Sequence, residues 1–111
     1  MRQGLGKADI RPILDELKAG LQAIYGPRLR QVLLFGSYAR GEAEDGSDID
    51  VAIVLDDVAS VAEERDRTGD LSYALSLDND LVIQTTFLRR RDVEEPWGPF
   101  HANVSREGVP A

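Results

Sequence analysis

The sequence predicts a small α/β domain of the α+β kind, in which a small mixed β-sheet has its helices packed on one face. Two observations carry this prediction. Apolar residues recur at helical spacing in segments 10–25 and 60–77, and three runs rich in apolar or β-branched residues, 32–35, 49–55 and 81–87, are typical of strands. With this order of elements the helices fit on one side of the sheet, so we expect the other face to stay open.

The first half of the chain is predicted to form one long helix and two strands. The apolar stripe of the first helix ends at Gly26-Pro27, a pair that stops helices. The first strand, 32–35, is followed by Gly36, and we expect a short helix to begin near Ser37. The second strand, 49–55, is dominated by Val and Ile, which favour buried strands.

The second half is predicted to form a helix, a third strand and short terminal helices. The helix of 60–77 has charged residues on one side and apolar residues on the other, and Gly69 is a candidate interruption. A helix is expected to start at the arginine run 89–91, which we interpret as a solvated or partner-facing stretch. A further short helix follows Pro96 and ends near Gly108.

Composition limits the classes of protein that the chain can belong to. With 111 residues, 42% of them apolar, we expect a single domain spanning residues 1–111. No apolar run approaches the ~20 residues of a membrane span, and the N-terminus lacks the apolar core of a signal peptide. The chain has no cysteine, which fits a reducing compartment. We therefore expect a cytoplasmic protein without a membrane partner.

The formal net charge of −7 argues against polymeric nucleic acid as the main partner. Such binding uses clustered Lys and Arg to displace counterions from the phosphate backbone. An acidic protein that handles a polyphosphate needs cations between the two. The lone histidine, His101, excludes a histidine-rich metal site, and we interpret His101 and Trp97 as packing or interface residues.

Asp48 and Asp50 are the first candidate metal ligands. Successive strand residues point to opposite faces, so these two carboxylates share one side of the sheet while Ile49 and Val51 face the core. Side by side they repel each other unless a cation neutralises them. Oxygen ligands favour Mg²⁺ or Mn²⁺, and Mg²⁺ often takes its remaining ligands from substrate phosphates. The pair therefore predicts a metal-bound nucleotide.

Gly36 and Ser37 are the candidate phosphate-binding residues. Glycine allows the backbone to approach a phosphate closely, and the Ser37 hydroxyl and adjacent N–H groups can donate to it. Arg40 has two interpretations that the sequence leaves open: contact with a phosphate, or bracing of the loop by pairing with Glu42 or Asp45.

A third carboxylate is expected if two metal ions are to be bridged in nucleotidyl transfer. Asp80 is the candidate, because it is predicted to open the third strand in the phase that places its side chain beside Asp48 and Asp50. Asp78 shares the parity of Asp80 and is the alternative.

The segment "GSYARGEAEDGSDIDVAIV", with Gly36-Ser37, ten intervening residues and Asp48-Ile49-Asp50, resembles the signature of the DNA polymerase β-like nucleotidyltransferase superfamily. The chain is most similar to its small branch, the minimal nucleotidyltransferases. The resemblance implies the polymerase β-like fold. It also implies that Gly36 and Ser37 hold the triphosphate of ATP, that Asp48 and Asp50 bind two Mg²⁺ ions, and that Asp80 completes one metal site and helps to deprotonate the acceptor.

The resemblance also implies a partner. Minimal nucleotidyltransferases are commonly the antitoxins of HEPN-type toxins, and the implied reaction transfers AMP from ATP to a tyrosine hydroxyl of the toxin within a hetero-oligomer. Two alternatives stay open. One is a non-enzymatic antitoxin that neutralises its partner by binding, and the other is a nucleotidyltransferase for a small hydroxylated molecule such as an antibiotic.

Overall fold

The computed structural model describes residues 10–44 and 47–111, and within these ranges the chain alternates helices with strands. The helices are α1 (Arg11–Tyr25), α2 (Gly36–Arg40), α3 (Val61–Asn79), α4 (Arg90–Glu94) and α5 (Pro99–Glu107), with a 3-10 turn at Gly26–Arg28. The strands are β1 (Leu29–Phe35), β2 (Ile49–Leu55), β3 (Ile83–Arg89) and β4 (Val109–Pro110). Among the described residues, no helix is long and apolar enough to cross a membrane.

The strands form one mixed sheet in the order β3-β2-β1-β4. β1 lies antiparallel to both β2 and β4, whereas β2 and β3 are parallel. The parallel pair needs a crossover connection, and α3 supplies it. The predicted fold class, a mixed sheet in a small α/β protein, is confirmed.

The main core lies between α1, α3 and the first face of the sheet. α1 places its apolar stripe on this face, as its 3.6-residue period predicts, and Gly26 ends the helix with a φ of 55°. The alternating strand residues Ile49, Val51 and Ile53 are fully buried here. The predicted strand phase is therefore confirmed for β2, and the residues between them face the opposite side.

The second face of the sheet is partly covered, which differs from the open face that the sequence led us to expect. A smaller buried cluster lies there and consists of Leu33, Ala52, Val54, Leu88 and Val104. Val104 belongs to α5, so the terminal helices close one end of this face. α5 has a short, mostly polar sequence in which only the side chain of Val104 is buried. One buried position does not establish a helical period, so the sequence pattern does not predict how α5 packs.

The end of the chain holds α5 in place. β4 pairs with β1 at Leu33 and Leu34, and the N–H of Ala111 donates to the carbonyl of Val32 at 2.9 Å. Lys18 Nζ donates to the carbonyl of Ala111 at 2.8 Å, which links this end to α1. The open part of the second face, between α5 and the ends of β1 and β2, is where the candidate site lies.

Candidate active site

The turn from β1 into α2 is built around Gly36. This residue has a φ of 74°, a left-handed conformation that favours glycine. A Cβ built on Gly36 would overlap Asp50 Oδ2 and lie 3.0 Å from Asp50 Cγ. Only glycine lets the backbone of this turn lie against the carboxylate of β2.

Asp50 lies at the centre of the sheet edge that faces this turn. It pairs with Phe35 of β1 across the antiparallel ladder and with Gln84 of β3 across the parallel ladder. Asp48 precedes β2 and is exposed, and its Oδ2 accepts from Gln84 Nε2 at 3.4 Å. Because Ile49 between them is fully buried, the two carboxylates lie on the same side of the sheet, as predicted.

The electrostatic environment of Asp50 disfavours its charged form. Burial is the main cause that raises the pKa of Asp50, the negative charge of Asp48 adds to it, and the nearby Arg40 opposes it. A divalent cation between the two carboxylates would remove both penalties. The pair is therefore a fitting cation site by its chemistry.

A cavity of about 390 Å³ joins the predicted phosphate-binding residues to Asp50. Its lining residues come from β1, α2, β2 and α5; they are Phe35, Gly36, Ser37, Arg40, Asp50, Phe100, Asn103, Val104 and Glu107. Four of the predicted site residues thus lie around one cavity of a size common for ligand sites.

Arg40 forms ion pairs at the mouth of this cavity. Its Nε donates to Glu42 Oε1 at 2.8 Å, and its Nη1 donates to Glu107 Oε1 at 3.4 Å. The bracing interpretation is therefore confirmed for Glu42, while Asp45 lies outside the described residues. Glu42 is exposed and the side chains of Arg40 and Glu107 are partly exposed, so water screens both pairs and an incoming phosphate can compete for the guanidinium at low cost.

The prediction that Asp80 joins the carboxylate pair is wrong for this structure. α3 continues to Asn79, and Asp80 ends it in a left-handed conformation with a φ of 53°, three residues before β3 begins. Asp80 lines a different cavity, and the alternative, Asp78, is an exposed residue of α3. Within residues 10–44 and 47–111, no group of three acidic or histidine side chains is placed to hold a metal ion.

Three lining residues of α5, Phe100, Asn103 and Glu107, were not identified from the sequence. Their spacing of three and four residues puts them on one face of the helix, which is the only signal that could have found them. Gln84 was missed as well. Its position follows from the parallel register of β2 and β3, which the sequence does not reveal.

A known protein family matches the part of the chain that contributes β1, α2 and β2 to this site. The family "Polymerase beta, Nucleotidyltransferase" matches residues 22–90, more than half of the chain. The matched segment contains the Gly36 turn, both carboxylates of the pair and β3.

Two curated relatives cover most of the same region. The "Putative protein adenylyltransferase MJ0141" of Methanocaldococcus jannaschii is 30% identical over 82 residues, which is 74% of this chain and 82% of the relative. The protein adenylyltransferase MntA of Thermococcus cleftensis is 32% identical over 78 residues, 70% of this chain and 77% of the relative.

Among solved structures, a toxin–antitoxin complex with AMP-PNP contains a chain of the same fold. The TM-score is 0.60 at 23% identity, and the match covers 86% of this chain and 69% of the other. At this identity the likeness concerns the fold alone.

Proposed function

Because the chain belongs to the polymerase β-type nucleotidyltransferase family, we propose that it is a Mg²⁺-dependent enzyme that transfers AMP from ATP to a hydroxyl group of a protein partner. One observation carries the proposal: the Gly36 turn and Asp50 lie against each other in one cavity, so groups suited to a phosphate and to a metal ion line the same space.

The turn supplies the groups that hold the triphosphate. The backbone N–H groups near Gly36 and the Ser37 hydroxyl donate hydrogen bonds to phosphate oxygens, and no side chain at Gly36 blocks their approach. Arg40 adds a positive charge at the cavity mouth. It exchanges its pairs with Glu42 and Glu107 for the phosphate, and this charge helps an acidic chain to hold a polyanion.

Asp48 and Asp50 are the residues that would hold Mg²⁺. The ion typically takes one or two carboxylates from a protein and completes its shell with phosphates and water, so the two carboxylates present fit it. When bound, Mg²⁺ supplies charge neutralisation and polarises the phosphate oxygens. A second ion stays a prediction, and without Asp80 its ligands would have to come mainly from the triphosphate.

The transfer step is an in-line displacement at the α-phosphorus. The acceptor oxygen forms a new P–O bond, the bond from the α-phosphorus to the bridging oxygen breaks, and pyrophosphate leaves. The proton of the acceptor hydroxyl passes to a carboxylate of the pair or to solvent.

The proposed acceptor is a tyrosine hydroxyl of a HEPN-type toxin, with this chain as the antitoxin in a hetero-oligomer. The names of the relatives, which are protein adenylyltransferases, support a protein acceptor. The toxin–antitoxin complex with AMP-PNP, which shares this fold, supports the class of partner and ATP as the nucleotide.

The experiment combines the chain with a candidate toxin, ATP and Mg²⁺ and analyses the toxin by intact and peptide mass spectrometry. We expect AMP on a tyrosine, and no AMP with the Asp50→Asn variant or with EDTA. An unmodified toxin in a mixture where the two proteins bind each other would contradict a toxin acceptor. Neutralisation that survives Asp50→Asn would instead support the non-enzymatic antitoxin, and AMP transfer to an antibiotic without toxin would support the small-molecule enzyme.

A further inference from the structure

Building on the proposed function, we propose that Phe100 of α5 is the residue on which the adenine base of ATP stacks. Phe100 lines the 390 Å³ cavity from α5, whereas Ser37 lines it from α2 and Asp50 from β2. A nucleotide needs an anion site and a flat apolar surface at a fixed separation. This cavity combines both.

The exposure of Phe100 is the first observation. Its side chain is 46% exposed although it lines a cavity beside a buried cluster. The ring contacts Phe35 edge to face, with a centroid distance of 5.9 Å and an interplanar angle of 79°. Together the two rings form an aromatic wall with free surface, and aromatic rings are the side chains on which nucleobases stack.

The wall is held rigidly to the turn. Phe35 is the last residue of β1 and directly precedes Gly36, so one ring of the wall is adjacent in sequence to the phosphate-binding turn. Val104, one turn after Phe100, is 1% exposed and packs against the second face of the sheet. Both rings therefore keep a fixed distance from the turn, which a two-part nucleotide site requires.

Asn103 adds a polar group to the same wall. It lines the cavity, and its Oδ1 accepts from Arg106 Nη2 at 2.7 Å. This bond orients the amide and leaves its NH₂ group to donate to a ring nitrogen of the base. A stacking ring with an amide three residues away is suited to a planar heterocycle with acceptor nitrogens.

A second cavity, of about 560 Å³, is the competing location for the base. It is larger and also contains an exposed aromatic residue, Tyr73, which is 68% exposed. Its described lining includes neither Ser37 nor Asp50. A base in that cavity would be separated from the phosphate-binding turn, so we assign the base to the wall of Phe100.

The test measures the binding of two probes, ATP and inorganic tripolyphosphate, each with Mg²⁺, by calorimetry. The variants are Phe100→Ala, Phe100→Trp and the matched control Tyr73→Ala, since both aromatic residues are exposed cavity residues. We expect Phe100→Ala to weaken ATP binding about tenfold, within the range for loss of one stacked base. Tripolyphosphate binding should change less than about twofold, because that probe has no base to stack.

The remaining variants complete the test. Phe100→Trp should keep ATP affinity, and Tyr73→Ala should leave both probes unaffected. Unchanged ATP binding by Phe100→Ala, an equal loss of both probes, or weakened ATP binding by Tyr73→Ala would overturn the assignment. If the unmodified protein bound neither probe, the proposed function itself would fail. Unchanged tripolyphosphate binding also shows that the Phe100→Ala variant is folded.

Discussion

Gly36 and Asp50 lie so close together that the structure has no room for a β-carbon at position 36. Such a carbon would be 3.0 Å from Asp50 Cγ and 3.2 Å from Asp50 Cβ, closer than carbon atoms normally approach. β1 and β2 are paired at this point through Phe35 and Asp50, so neither strand can shift easily to make room. The glycine is thus required both by its backbone conformation and by the carboxylate beside it.

Gly36→Ala should therefore abolish nucleotide binding, and Gly41→Ala provides the matched control. Both glycines have a φ of 74°, but a Cβ on Gly41 meets no atom within 4 Å. Each substitution should cost roughly 1–2 kcal/mol of stability from its backbone conformation. Only Gly36→Ala should also displace Asp50 and lose ATP binding, as measured by calorimetry beside urea unfolding. Equal ATP affinity in the two variants would show that the contact with Asp50 does not matter.

Asp50→Asn should make the metal-free protein no less stable at neutral pH. Because the pKa of Asp50 is raised in the folded state, the folded protein binds the proton more tightly than the unfolded chain. The associated stability is present below the unfolded pKa and is lost as the pH rises through the folded pKa. The asparagine side chain of the Asp50→Asn variant carries no charge, so the variant does not lose this stability as the pH rises. Urea unfolding in EDTA checks the prediction, and a marked destabilisation by Asp50→Asn would contradict it.

A buried carboxylate, Glu64, ties α3 to the end of α1. Its side chain accepts from Tyr25 Oη at 2.8 Å, from Arg28 Nη2 at 3.0 Å and from Arg67 Nη1 at 2.9 Å. Burial alone would raise the pKa of Glu64, but these hydrogen bonds outweigh it and lower the pKa. The charge is compensated from three directions.

Glu64→Gln should destabilise the fold by about 2 kcal/mol, because it removes the charge that these donors share. Glu63→Gln is the control, since Glu63 is an exposed neighbour in the same turn of α3. The free energy of unfolding from urea titration compares the two. A loss of similar size in both variants would mean that the network around Glu64 contributes little.

Asp92 makes the free energy of unfolding depend on pH in the acid range. The Arg89 side chain is the main cause that lowers the pKa of Asp92, burial opposes it, and the Arg89 N–H and Trp97 Nε1 lower it further. A carboxyl whose folded pKa is lowered contributes stability above its unfolded pKa, and this stability is lost as the pH falls through the folded pKa.

Stability should therefore fall as the pH drops below about 5, and Asp92→Asn should flatten that dependence while lowering stability at pH 7. Urea midpoints measured across the acid range test this. Trp97→Phe, which keeps a ring but removes the Nε1 donor, should show a smaller effect of the same sign. An unchanged acid slope in Asp92→Asn would assign the acid sensitivity to other groups.

The sequence predicted the first helix, the second strand and the carboxylate pair well, because each depends on local periodicity. α1 was expected over 10–25 and covers 11–25, and β2 has the expected bounds of 49–55. Gly36, Ser37 and Asp50 meet in one cavity because β1 and β2 form a local antiparallel pair across a short connection. Such features need little knowledge of the rest of the fold.

Features that depend on distant parts of the chain were not predictable. Asp80 was expected to open the third strand, but α3 extends past residue 77 and ends at Asp80 in a left-handed conformation. The alternation of apolar and polar residues in the sequence does not distinguish such a helix end from the start of a strand. The packing of α5 on the second face depends on one buried side chain, Val104, and on the β4 pairing that follows it. Trp97 and His101 were interpreted as packing or interface residues; their rings contact each other with centroids 4.5 Å apart, and Trp97 is 72% exposed.

AMP transfer by the carboxylate variants is the most direct measurement of the central claim. The purified chain is combined with its proposed toxin partner, Mg²⁺ and ATP labelled at the α-phosphate. The label on the toxin is counted over time for the unmodified chain, Asp48→Asn, Asp50→Asn and the control Asp78→Asn. We expect labelling by the unmodified chain and by Asp78→Asn, and a loss of at least about a hundredfold, the scale of a lost electrostatic stabiliser, in both other variants. Full labelling by Asp48→Asn and Asp50→Asn would contradict the account.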